Sequence, residues 1–148
     1  MAKGLTFDNS LLQLIFQNSA SSAPINALGS GLGAAATAGN LYISLHTADP
    51  TASGNQSTSE ISYTGYARQA VARSSAGFTI TGNVVNPAST IAFGAMTVGT
   101  GGTVTNWAIG TASSGTGYIL YTGTVTPNMS VVTGVTPQLT TASSVTES

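Results

Sequence analysis

The hydrophobic positions of this chain change period once. From Thr6 to Asn18 the apolar residues Phe7, Leu11, Leu12, Leu14, Ile15 and Phe16 recur at helical spacing. Asp8 or Asn9 precedes them as a candidate N-cap, where a side-chain oxygen can accept from an orphan backbone N–H. The spacing predicts one short helix over residues 8–18. A helix of that length is not stable alone, so its Leu/Ile/Phe face must lie on something. From Leu41 onward the period is two. Leu41, Ile43 and Leu45 alternate with Tyr42, Ser44 and His46. Further strands are predicted at 66–73, around Phe78 and Ile80, at Val84–Val85, at 91–93, at 104–109, at 117–122, at 124–126, at 129–132 and at 135–139.

The breaks between these runs carry turn chemistry. Thr81-Gly82-Asn83, Asn86-Pro87, Gly99 to Gly102, Ser113 to Gly117, Pro127-Asn128 and Thr133-Gly134 supply glycine and asparagine for positive φ and proline for a preset φ. Short strands at this spacing predict an all-β fold, an antiparallel β-sandwich with one short N-terminal helix. A jelly roll accommodates the strand count. An immunoglobulin-like sandwich is the main competitor. Ser19 to Asn40 is rich in Ala, Gly and Ser and shows no period, so it is expected to be an extended arm ordered against a neighbouring subunit. The organisation expected is therefore a helix and arm over 1–40 and a β-sandwich domain over 41–148.

Composition changes what this fold is expected to be for. The chain has 148 residues, of which three are basic and four acidic. A free soluble protein carries roughly 25% charged residues, against 5% here. Such a neutral, hydroxyl-rich surface suits one tile in a larger assembly. Three basic residues cannot neutralise a run of phosphates or anchor to an anionic bilayer, so neither nucleic acid nor membrane is an expected partner. There is no cysteine, which removes disulfides and thiolate metal sites. The N-terminus lacks the pattern of a signal peptide, so synthesis without export by its own signal is expected.

Candidate chemistry is sparse. His46 is the single histidine. With Asp49 and abundant serine it could be arranged as a triad, but no Gly-x-Ser-x-Gly elbow is present. A structural hydrogen bond at a strand end is the expected role. Asp49 and Glu60 could form a glycosidase pair, yet Glu60 is expected to pair with Arg68 or Arg73. Gly99 to Gly102 lacks the Gly-Lys-Ser/Thr of a phosphate loop. Tyr63, Tyr66, Trp107, Tyr118 and Tyr121 could stack on sugars or pack internally. No catalytic residue, metal ligand or cofactor site is expected.

Four segments carry a resemblance: 41–50 (LYISLHTADP), 59–68 (SEISYTGYAR), 110–117 (GTASSGTG) and 134–137 (GVTP). With the leucine-rich opening helix they resemble a family of small structural proteins of tailed bacteriophages, commonly labelled phage tail fibre protein. The chain is also similar in size and β-rich character to capsid decoration, or cement, proteins. The resemblance implies a virion structural protein without catalytic residues. The function expected first is a cement protein on the outer capsid surface, clamping capsomers through its contact with the major capsid protein. The alternative is a tail fibre or tail-tip component that binds a host glycan through residues 51–58 or the aromatics. Self-association as a dimer or trimer is expected in either case. The residues expected at the partner interface are Leu11, Leu12, Ile15, Phe16, Pro24, Ile25 and Leu28.

Overall fold

The computed structural model describes residues 3–20, 25 and 34–148. Its elements, in chain order, are α1 (Leu5–Gln17), β1 (Asn40–His46), β2 (Gln69–Ala72), β3 (Phe78–Thr81), β4 (Val84–Pro87), β5 (Ile91–Ala92), β6 (Gly102–Gly110), β7 (Ile119–Val131), β8 (Gln138–Leu139) and β9 (Val145–Thr146). The described strands form antiparallel sheets of four, three and two strands. The architecture is all-β with one short N-terminal helix, in keeping with an all-β sandwich. The eight-strand, two-sheet order of a jelly roll does not emerge from these pairings. Two units are formed, each from separated stretches of chain: Met1–Asn40 with Val71–Thr90 and Thr140–Ser148, and Leu41–Ala70 with Ile91–Leu139.

In the first unit α1 packs on the sheet β3-β4-β9. The ring of Phe16 meets that of Phe78 edge-on, with centroids 5.0 Å apart, and Leu12, Ile25 and Val85 are buried in the same unit. The helix begins earlier than its apolar spacing predicts. Gly4 is the N-cap, without a side-chain cap bond. Asp8 lies instead in the first turn, where a carboxylate suits the positive end of the helix dipole. Asn9 is engaged elsewhere, donating from Nδ2 to the Gly82 carbonyl at 2.6 Å.

The far end of α1 has no basic residue in its last turn. Arg73 supplies the cation from outside the helix. Its Nε donates to the Ile15 carbonyl at 2.7 Å, Nη2 to Leu14 at 2.7 Å and Nη1 to Ala38 at 3.0 Å. The Leu14 and Ile15 carbonyls are among those that a helix end leaves unpaired.

β3 and β4 are joined by a two-residue hairpin, with Thr81 opposite Val84 and Gly82 at φ 61°. Glycine serves there because the first position of a type II′ loop needs positive φ. β9 pairs with β4 and is held beyond its end, where Asn83 Nδ2 donates to the Glu147 carbonyl at 2.7 Å.

In the second unit the sheet order is β2-β1-β6-β7. β1 and β6 are buried along almost their whole length. Ile43 pairs with Ile109 and Leu45 with Trp107.

The sequence pattern predicts breaks near Gly123 and at Pro127-Asn128, but 119–131 is one strand. The turn chemistry there is absorbed as a bulge. Val104 faces Met129 and Asn106 faces Thr124, so β7 advances five residues while β6 advances two. A bulge frees the local ladder, and a proline without an N–H is tolerated in it.

Candidate functional site

Three of the polar side chains buried in the second unit, His46, Gln56 and Arg68, converge on two loops, residues 47–60 and 111–118. The connection 111–118 joins β6 to β7 as a hairpin, closed by Thr111 N–H to the Tyr118 carbonyl at 3.1 Å and Tyr118 N–H to Thr111 Oγ1 at 3.0 Å. It is tied to the first loop by Gln56 N–H donating to the Thr116 carbonyl and by Ser57 Oγ donating to the Gly115 carbonyl, both at 2.8 Å.

Gln56 enters between two glycines. A Cβ at Gly110 would sit 2.1 Å from Gln56 Cδ, and one at Gly117 would sit 2.3 Å from its Oε1. In the space those absent side chains leave, the Gln56 carboxamide accepts from Ala112 N–H at 2.9 Å and donates to the Tyr42 carbonyl at 3.3 Å. It is fully buried with both ends of its amide used.

Arg68 performs a second bracing. Its Nε and Nη2 fork onto Glu60 at 2.8 and 2.7 Å. Nη1 donates to the Ala112 carbonyl at 3.0 Å and Nη2 to Gly115 at 2.7 Å. The bond to Glu60 raises the guanidinium pKa. Glu60 also accepts from the Tyr66 hydroxyl at 2.9 Å, and that hydroxyl accepts from Leu45 N–H at 3.0 Å. Burial pushes the Tyr66 phenol well above its usual range. Glu60 is thus the partner of Arg68, while Arg73 serves backbone carbonyls.

His46 is buried beside this network. The Thr58 carbonyl, 2.8 Å from Nδ1, can only accept, so Nδ1 carries the proton. Nε2 accepts from Ser44 Oγ at 2.9 Å. Burial lowers the His46 pKa. The Ser44–His46 contact has the order of a nucleophile and base, but Ser44 is itself fully buried. A carbonyl stands where a triad would place its carboxylate. Asp49 lies on the surface, accepting from Thr51 N–H at 2.9 Å. Among the described residues, no group of three His, Asp or Glu is placed to hold a metal ion.

The aromatics divide. Tyr66 stacks on Phe93 with centroids 6.1 Å apart, Tyr63 tilts against Tyr66 at 5.4 Å, and Trp107 is buried. Tyr121 is half-buried, whereas Tyr118 is 80% exposed. Its own hairpin carries the exposed hydroxyls of Ser113 and Thr116, and the loop tied to that hairpin carries those of Thr51 and Ser53.

Of the residues expected at a partner interface, Leu12, Phe16 and Ile25 are buried, and Leu11 and Ile15 are half-buried. Pro24 and Leu28 lie outside the described residues, as does most of the connector between α1 and β1. The bracing role of Gln56 was missed in the sequence. A glutamine carries no signal until the glycines at 110 and 117 are brought to either side of it.

Together these features define an all-β fold whose buried polar side chains fix loops in place. The comparison with family models says which kind. Residues 5–146 match the model described as Gp80, podophage GP4 fiber I protein gp80, and the chain belongs to that family. This agrees with the tail fibre resemblance of its motifs and supports a virion structural role. No match was found among curated proteins.

Proposed function

We propose that this chain is a component of the virion tail that presents the loops 47–60 and 111–118 as a rigid contact surface for a neutral host-surface glycan. The observation that carries the reading is Tyr118, 80% exposed on a hairpin whose backbone is held by Arg68, Gln56 and Ser57. An open aromatic ring on a hydroxyl-rich hairpin suits a sugar, which stacks its C–H face and exchanges hydrogen bonds at its rim. Bracing the loops beforehand lowers the ordering cost of binding. The one carboxylate exposed at these loops, Asp49, disfavours an acidic sugar. Leu11 and Ile15, half-buried on α1, are the part of the helix face that an assembly partner can still touch.

The fibre designation of the matched family favours the tail over the outer capsid surface. Copy number per virion, measured by quantitative mass spectrometry against the major capsid protein, tests the placement. A few to a few tens of copies is expected, whereas about as many copies as shell subunits would mean capsid decoration. Adsorption of virions carrying Tyr118→Ala tests the surface, with weaker binding to host cells expected.

A further inference from the structure

Three described residues other than glycine hold a positive φ: Asn18 at 52°, Thr51 at 61° and Ser59 at 55°. Asn18 caps the end of α1, where such a conformation is usual. Ser59 has an unbranched side chain, which the left-handed region crowds less. Thr51 is the outlier, because a β-branched side chain meets its own backbone there. At the remaining positive-φ positions among the described residues the chain carries glycine.

The turn that demands this conformation is tight. A Cβ at Gly54 would lie 1.9 Å from the Pro50 carbonyl oxygen. Thr51 is fixed in the turn by its backbone. Its N–H donates to Asp49 Oδ1 at 2.9 Å, and its carbonyl accepts from Gly54 N–H at 3.2 Å. Glycine at 51 would keep both bonds without the strain. The Thr51 side chain is exposed. Its Oγ1 lies 3.3 Å from the hydroxyl of Ser53, itself exposed, and water can replace that contact. The fold therefore gains little from threonine at this position. Strain of this kind concentrates where a ligand uses the residue that bears it.

We infer, resting on the glycan reading of the loops 47–60 and 111–118, that Thr51 is a ligand-contacting residue whose hydroxyl exchanges a hydrogen bond with the sugar. A threonine hydroxyl carries one donor and two acceptor lone pairs, so its contact with Ser53 leaves capacity for a sugar hydroxyl. The two backbone bonds fix the direction in which the side chain leaves the loop, which lowers the ordering cost of binding.

Virions carrying Thr51→Gly, Thr51→Asn or Thr51→Ser are compared in adsorption to host cells, at equal content of this chain by mass spectrometry, and the purified variants are unfolded in urea. Thr51→Gly relieves the strain, so its urea midpoint is expected at or above that of the native chain, while adsorption slows about threefold or more. Thr51→Asn tolerates the left-handed backbone but lacks the hydroxyl, and is expected to slow adsorption likewise. Thr51→Ser keeps the hydroxyl and is expected to adsorb normally. A lowered midpoint for Thr51→Gly, or its absence from virions, would overturn the inference, because the side chain would then serve the fold or the assembly. So would native adsorption by Thr51→Gly or Thr51→Asn, or adsorption by Thr51→Ser as slow as that by Thr51→Gly. Tyr118→Ala separates this role from the glycan reading beneath it. If Tyr118→Ala slows adsorption and Thr51→Gly does not, only the role of Thr51 falls. If neither slows it, the glycan surface falls as well.

Discussion

Trp107 and Gly123 are register partners on β6 and β7, and the indole occupies the place where residue 123 has no side chain. A Cβ there would lie 2.5 Å from Trp107 Nε1. Trp107 is the single tryptophan of the chain, so its emission reports on this contact directly. Gly123→Ala is expected to displace the ring, shift its fluorescence and cost about 1–3 kcal/mol, the usual range for overpacking. Unchanged emission with unchanged denaturation would show that the contact does not constrain residue 123.

Removing Arg68 strands Glu60, a carboxylate held with only 16% side-chain exposure. Arg68→Met is expected to destabilise the fold by about 3 kcal/mol in urea denaturation, in the range seen when one partner of a buried pair is removed. Arg68→Lys keeps the charge but cannot fork onto Glu60 while also reaching Ala112 and Gly115. It should therefore restore only part of the loss and leave the 111–118 amides exchanging faster than in the native protein. Full restoration by lysine would mean that charge alone matters there.

His46 makes stability depend on pH in a definite direction. Burial lowers its pKa from the ordinary 6.5, so below that value the unfolded chain binds a proton that the folded one resists. Its contribution is complete above about pH 6.5 and is lost as pH falls towards and through the folded pKa. The chain has no second histidine. The slope just below pH 6.5 should therefore disappear in His46→Gln. Parallel curves for the two proteins between pH 7 and 5 would refute the assignment.

Phe16 and Arg73 hold α1 by unrelated means, one through ring packing on Phe78 and the other through helix-end carbonyls. Phe16→Ala is expected to cost about 3–5 kcal/mol, and Arg73→Gln about 1–3 kcal/mol from carbonyls left unpaired. Calorimetry of each variant measures both. A loss of less than about 1 kcal/mol for Phe16→Ala would place α1 outside the core.

Much of this was legible in one dimension because it depends on near neighbours. The period-two run from Leu41 to His46 marks β1, the spacing of Leu11, Leu12, Ile15 and Phe16 marks α1, and Gly82-Asn83 marks a hairpin loop. Each is a local preference, set by which side chains must face one way and which φ a residue can adopt. Where a local signal misled, a distant partner outweighed it. Pro127-Asn128 resembles a turn, but β7 pairs with β6 on both sides of it and carries the extra residues as a bulge. Asp8 resembles an N-cap, but the helix starts at Gly4 and carries the carboxylate in its first turn.

What the sequence determined by itself was the class of fold, the near absence of charge and the poverty of catalytic groups, because composition and period state these directly. The tertiary structure alone decided which polar residues act together. Gln56 meets Gly110 and Gly117 across more than fifty positions, Arg68 reaches Ala112 and Gly115, and Val145 finds Val85. Such pairings follow from the burial of polar groups, which must find partners wherever the chain brings them, and no spacing along the sequence encodes that meeting.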